Sequence, residues 1–241
     1  MIWQVANTVY ALDSMLGQIQ WSRYIADMNP YEESQMAETE GVLLVERSGV
    51  YHALDPATGN ERWTIANPGI EAFQTPGGIV AANKIFLIYG GGALLAIDST
   101  NQRIIWSQKQ LEAIQSLKVS DDNTTAYAIM VSHITGNPAT QVLAALDVQT
   151  GAIRWTFQAS EQESFIHGFQ YSQNTLYATV CLSGNQASCG HEILYAINAT
   201  TGEVGWKFEA NSIYNVRVSL DSSTVAFQTN NSAWENLIEH L

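Results

Sequence analysis

At 241 residues, 46% of them apolar and 14% charged, the chain carries enough apolar surface to offset chain entropy. That excludes a disordered segment and allows one large all-β domain or two smaller ones. A formal charge of −13, from 23 acidic against 10 basic side chains with no Lys/Arg cluster, excludes a nucleic-acid partner, which needs a basic stripe to displace phosphate counterions, and argues against an anionic membrane surface.

The start, Met1-Ile2-Trp3-Gln4-Val5, has neither the charged nor the apolar region of a signal peptide and reads as a strand. Either the protein is cytoplasmic or the chain is trimmed of its signal or anchor, and the abrupt start in a strand favours trimming. No apolar run approaches the ~20 residues that cross a bilayer, so direct membrane insertion is not expected. The first hairpin follows, Tyr10-Ala-Leu-Asp13 to Trp21 with Gly17 in its turn. A long insertion, Ser22–Met36, then carries Tyr24, Tyr31, Glu32 and Glu33. With Glu38, Glu40 and Glu46 these acids could hold a cation or a basic partner, although such a run is more often a solvated face.

The second hairpin, His52-Ala-Leu-Asp55 to Trp63 with Gly59, repeats the first without a gap. After the strand Ile85–Tyr89, Gly90-Gly-Gly92 reads as a hairpin turn, because neither a helix nor Lys-Ser/Thr follows as a phosphate loop requires. The third hairpin is Leu95-Ala-Ile-Asp98 to Trp106, with Gln102 where the others have glycine. Turn residues Asp121–Thr124 and the strand Ala126–Val131 lead to a loop holding His133 and Asn137. The fourth hairpin, Ala144-Ala-Leu-Asp147 to Trp155 with Gly151, comes next.

Beyond the strand Thr175–Val180, Cys181 and Cys189 flank a loop-like stretch that includes Asn185. If that loop joins paired strands, the thiols face each other within disulfide reach. Closing so short a loop stabilises by roughly 2.5 kcal/mol in the chain-entropy model, and it implies an extracytoplasmic location. Two free cysteines in a reduced compartment are the alternative. His191 follows, then the fifth hairpin, Tyr195-Ala-Ile-Asn198 to Trp206 with Gly202. The strand Thr224–Gln228 ends the repeats. The remainder, 231–241, opens on a capping-box pattern and spaces Trp234, Leu237, Ile238 and Leu241 as a short amphipathic helix, expected to seal the domain formed by 1–230, with docking on a partner as the alternative.

Five hairpins in one register decide the fold class. Each has Ala, then Leu or Ile, then Asp or Asn, with Trp eight positions later, and the tryptophans recur at intervals of 42, 43, 49 and 51 residues. The Asp or Asn opens a turn by accepting backbone N–H bonds. Glycine supplies a positive φ, so the Gln102 turn should be the most strained. The indole buries a large area between sheets, and Ala is small where sheets pack closely. With about four strands per period, the expectation is an all-β propeller of four-stranded antiparallel blades. Five blades closed by a terminal "velcro" blade are expected, in which Ile213–Gln228 completes the first hairpin and no sheet edge is left open. The alternative is an arc of a six- to eight-bladed ring, should Ile2–Val5 already fill the first blade.

The motif Ala-x-Asp-x-x-Thr-Gly-x-x-x-Trp resembles the PQQ-repeat, or quinoprotein-like, propellers over nearly the whole chain. WD repeats have a similar period, but no Trp-Asp dipeptide occurs. The resemblance implies the fold and not the dehydrogenase chemistry. Those enzymes are similar but far longer, and hold PQQ against a disulfide of adjacent cysteines beside calcium. Cys181 and Cys189 are not adjacent, and no residues here match the calcium ligands. No cofactor is expected; PQQ is disfavoured and calcium left open. His133, His167 and His191 lack zinc-ligand spacing, and no nucleophile elbow occurs. Paired carboxylates on facing loops are left open.

Blade-joining loops and those between second and third strands should share one face. Tyr24, Tyr31, Glu32, Glu33, His133, Asn137, Asn185 and His191 are the candidate binding residues on it. The expected function is a monomeric, non-catalytic binding or scaffold propeller for a protein or polymer partner. The alternatives are an enzyme with a central-channel site, of hydrolase or quinoprotein type, and a sensor domain of a longer membrane-anchored protein.

Overall fold

A computed structural model describes residues 2–5, 7–25, 35–47, 49–66, 77–90, 92–108, 113–132, 140–159, 165–185 and 188–229. They form β-strands and turns with no helix, arranged in six antiparallel sheets, each a meander in chain order. The first sheet has β1 (Ile2–Val5), β2 (Thr8–Leu12) and β3 (Ile19–Tyr24). The second has β4 (Gln35–Thr39), β5 (Val42–Arg47), β6 (Val50–Leu54) and β7 (Glu61–Ala66). The third has β8 (Gly78–Ala82), β9 (Ile85–Gly90), β10 (Ala93–Asp98) and β11 (Arg103–Gln108).

The fourth sheet has β12 (Ala113–Val119), β13 (Thr125–Ser132), β14 (Thr140–Asp147) and β15 (Ile153–Phe157). The fifth has β16 (Phe165–Ser172), β17 (Thr175–Asn185), β18 (Ser188–Asn198) and β19 (Val204–Ala210). The sixth is the pair β20 (Tyr214–Val218) and β21 (Val225–Gln228).

Five apolar cores hold consecutive sheets together. One lies between each neighbouring pair, from Val9, Leu43 and Val45 at one end to Leu194, Ala196, Val216 and Phe227 at the other. The two-residue period of a strand makes this possible, since alternate side chains serve alternate neighbours. In β17, Leu176, Ala178 and Val180 enter the core shared with the fourth sheet, whereas Tyr177 enters the core shared with the sixth. Central strands are therefore apolar on both faces; β10 buries Ala93 through Ile97 without a break. The leading strands β4, β8, β12, β16 and β20 contact one another in succession, which places them toward the axis with the Trp-bearing strands at the rim. This is the radial arrangement of a propeller.

The strand pairing departs from the expected terminal closure. Ile2–Val5 pairs with β2 through Ile2↔Ala11 and Val5↔Thr8, so the edge of β2 that Thr224–Gln228 was expected to take is filled. β21 pairs with β20 instead. The register of β1 matches that of β5, whose Leu44 stands opposite Ala53 as Ile2 stands opposite Ala11. The first sheet thus holds the second, third and fourth strands of a blade, and the sixth sheet holds the first two. The segment 231–241, read as a helix, lies outside the described residues.

Candidate binding surface

The repeat motif builds an interlock between sheets. In all five hairpins the conserved-in-pattern Ala stands directly opposite the Trp: Ala11↔Trp21, Ala53↔Trp63, Ala96↔Trp106, Ala145↔Trp155 and Ala196↔Trp206. One extra residue precedes each Trp, a β-bulge that re-aims the indole. The ring of one sheet then donates its Nε1–H to a carbonyl in the next sheet's turn, always on the residue after the Asp or Asn. The distances are 2.9 Å for Trp21 to Pro56, 3.1 Å for Trp63 to Ser99, 2.9 Å for Trp106 to Val148 and 3.1 Å for Trp155 to Ala199.

Glycine has two reasons to stand in these turns. Gly59, Gly151 and Gly202 have φ of +72°, +71° and +77°, and a Cβ on each would lie 2.6–2.7 Å from the indole of the preceding sheet. Gln102 stands at φ 57° without that freedom, and its Nε2 donates to Thr64 of the preceding sheet at 2.5 Å. Asp13, Asp55, Asp98, Asp147 and Asn198 each accept two backbone N–H bonds from the turn they open, as Asp147 does from Gln149 and Thr150.

Sequence reasoning missed what the bulge residue does. Arg62 and Arg154 occupy it and reach back to Asp55 and Asp147 at 2.6 and 2.7 Å. These hydrogen bonds from arginine are the main cause holding both carboxyls below the usual aspartate range. The signal was present as Arg directly before Trp in two copies.

Connections between sheets, and turns between second and third strands, emerge on one side, and most of their residues lie outside those described. Tyr31, Glu32, Glu33, His133 and Asn137 are among these, while Asn185 is placed only by its backbone, at the end of β17. Tyr24, at the end of β3, is exposed. Glu46 is corrected: it is buried and accepts from the Gly49 N–H at 3.0 Å, so it caps a turn and belongs to no solvated acidic face. Glu38 and Glu40 are exposed, and Glu40 lies 3.6 Å from Lys84.

The most developed feature on this side is the ribbon formed by β17 and β18, each 11 residues long. Its outer part is tied by a disulfide between Cys181 and Cys189, with Cα atoms 5.8 Å apart. The two cysteines are not cross-strand partners, since Cys181 stands opposite Glu192 and Cys189 opposite Gly184. Two register shifts between them bring the sulfurs together.

At the base of the ribbon, buried Glu192 holds three segments together. One oxygen lies 2.9 Å from His167 Nδ1, and the other accepts the backbone N–H of Ile213. On the neighbouring surface Glu209 takes Lys207 at 3.0 Å and His191 at 3.6 Å, and the Lys207 hydrogen bond leads in lowering its pKa. Nothing in the local pattern marked Glu192, because its partners come from β16 and from the approach to β20.

The opposite side carries the turns, and there a cleft of about 470 Å³ opens between the fourth and fifth sheets. Ser120, Asp122, Arg154, Tyr171, Asn174 and Thr200 line it. Tyr127 stacks on Tyr171 at 5.3 Å, and burial pushes its phenol up to about 12. Arg154 is engaged by Thr125 and Asp147, and Asp122 by Ser120 and Thr124. The charges of this wall thus serve the turns. Among the described residues, Glu38 is the one carboxylate on the five leading strands, and no three His, Cys, Asp or Glu side chains gather as a metal site.

No curated protein matches the chain in sequence. Among solved structures, BamB from Moraxella catarrhalis is similar with a TM-score of 0.60 and 18% identity, over 93% of this chain and 65% of that one. Saccharomyces cerevisiae Sqt1 is similar with a TM-score of 0.59 and 14% identity, over 93% and 64%. The chain thus spans slightly under two thirds of the length of either structure, and at these identities the likeness concerns the fold. The family described as "Outer membrane protein assembly factor BamB" matches residues 5–238, nearly every blade, and the chain belongs to this family of PQQ-repeat β-propellers.

Proposed function

We propose that the chain is a non-catalytic scaffold that binds a protein partner through the side carrying the β17–β18 ribbon, outside the cytoplasm. The observation that supports it most is the disulfide-tied ribbon standing on a stack of interlocked sheets. Rigid elements present a surface at low entropic cost on binding, and a disulfide of this kind persists in an oxidising compartment. The family's description, assembly of outer-membrane proteins, names work on other proteins and fits the same reading. Tyr24, Asn185 and His191 belong to the proposed surface, with Lys207 and Glu209 beside them. The turn side, where arginine and aspartate serve the hairpins, is the supporting side. No cofactor takes part.

Photo-crosslinking in the native host tests this. A crosslinker in place of His191 is expected to trap a discrete protein partner, and one in place of Thr201 on the turn side is not. Adducts formed from Thr201 alone, or a turnover activity of the purified protein, would refute the proposal.

A further inference from the structure

We propose that the cleft between the fourth and fifth sheets, on the turn side, binds a neutral saccharide, separately from the protein surface on the opposite side. Turns of unequal length form this cleft. In the fourth sheet the four residues Asp121–Thr124 join Ser120 to Thr125, whose carbonyl accepts the Ser120 N–H at 2.9 Å. In the fifth, only Gln173 and Asn174 join the paired Ser172 and Thr175. The longer turn reaches past the shorter one, and about 470 Å³ is left between them. Small-ligand sites have volumes of about 300–1,000 Å³.

The other flank of the same short turn is bridged. There Ser222 Oγ lies 2.6 Å from Ser172 Oγ, and Gln173 Nε2 donates to the Leu220 carbonyl at 3.4 Å. Among the described residues no hydrogen bond crosses from Asp121–Thr124 to Gln173–Asn174. Arg154 is engaged by Asp147, Thr125 and the Thr124 carbonyl, and Asp122 by Ser120 and Thr124. Three groups lining the cleft carry no hydrogen bond among the described residues. They are the Asp121 carboxylate, the Tyr171 hydroxyl and the Nδ2 amide of Asn174, whose Oδ1 accepts from Thr200 at 2.7 Å.

These three groups decide the ligand's chemistry. Asp121 only accepts, the Asn174 amide nitrogen only donates, and the phenol does both. A cation offers donors alone and leaves the Asn174 amide unmatched, while an anion offers acceptors alone and is repelled by Asp121. Neighbouring hydroxyls on one sugar ring donate and accept together, so they serve all three groups. The Tyr171 ring, partly buried and stacked on Tyr127 at 5.3 Å, supplies a rigid surface for the C–H face of such a ring. A peptide also carries donors and acceptors, but capture of a peptide uses a strand edge or pockets for its side chains. The walls here are turns closed on their own backbone, as where the Ala199 N–H meets the Asn174 carbonyl at 2.9 Å.

Amide NMR titration of the full chain tests this, with glucose, N-acetylglucosamine, maltose and trehalose as probes and spermidine, citrate and trialanine as controls. At least one sugar should shift the amides of 120–125, 171–174 and 199–201 saturably while the ribbon at 181–192 stays unmoved. Asp121→Ala should weaken binding of that sugar at least about tenfold, since a hydrogen bond to a charged group is lost. Tyr171→Phe keeps the ring, and Asn174→Asp keeps the acceptor for Thr200; each should weaken binding about threefold or more. All three variants should keep the wild-type unfolding midpoint, which separates lost binding from lost fold. The proposal is overturned if no sugar gives saturable shifts at the cleft, or if spermidine, citrate or trialanine binds there and the sugars do not. Variants that bind the sugar as tightly as the wild type overturn it too.

Discussion

Replacing Gly151 by alanine separates the two demands made on a turn glycine. Its φ of +71° costs an L-residue about 1–2 kcal/mol. The added methyl would also stand 2.6 Å from Trp106 Cδ2 and 2.7 Å from Cε3. Since Trp106 is pinned by its hydrogen bond to Val148, the ring cannot retreat without losing that bond. Overpacking of this kind costs about 1–3 kcal/mol more. The sum, about 3 kcal/mol, corresponds to a fall in Tm on the order of 10 °C for a chain of this size. Gly17 has nearly the same φ, +66°, and nothing within 4 Å. Gly17→Ala should therefore cost only the backbone part, about 1 kcal/mol or roughly 3 °C. The assay is thermal and urea unfolding, followed by circular dichroism. In a Trp106→Ala background the cost of Gly151→Ala should drop to the Gly17 value, because the obstacle is gone. Equal losses at Gly17 and Gly151, or no relief in the double variant, would refute the reasoning.

Three further outcomes follow from the same geometry. Trp155→Phe should cost about 1–2 kcal/mol by removing the donor to Ala199, whereas Trp206→Phe, at a half-exposed ring, should fall within about 0.5 kcal/mol; equilibrium unfolding distinguishes them. Asp221 is held down to about 2, chiefly by the Ser219 hydroxyl and then by the Ser223 N–H, and Asp55 and Asp147 are lowered too. Carboxyls with depressed folded pKa values stabilise the fold above about pH 4, and that contribution is lost as pH falls toward about 2. Unfolding midpoints should thus be level from neutral pH to about 4 and then decline, less steeply in Asp221→Asn; an unchanged slope in that variant would contradict the assignment. Reducing Cys181–Cys189 should speed amide exchange across residues 181–192 while leaving β9, β10 and β13 protected, with the entropic part of the bond worth roughly 2.5 kcal/mol; uniform loss of protection would mean that the ribbon is not a local unit.

The tryptophan hairpins were legible because each local choice has one physical solution. Short acceptor, positive-φ turn, bulge and small residue opposite a large one must fall at fixed offsets in the chain. The alternation of Leu176 and Tyr177 between two cores was legible only as a continuous apolar run, since periodicity cannot say which neighbour each face meets. Glu46 misled for a related reason. An acidic residue near other acids reads as a solvated face until the Gly49 N–H is placed against it. Glu192 gave no sign at all, because His167 and Ile213 reach it from other segments.

The sequence by itself determined the repeat, its turns and the all-β class, since these depend on residues within a dozen positions of one another. It pointed to the wrong pairing at the ends of the series, because by pattern alone Thr224–Gln228 was the expected neighbour of β2 and Ile2–Val5 the alternative. Tertiary structure decided that competition in favour of β1. A hydrogen-bonded strand edge can be filled once, and only the folded chain shows which segment fills it.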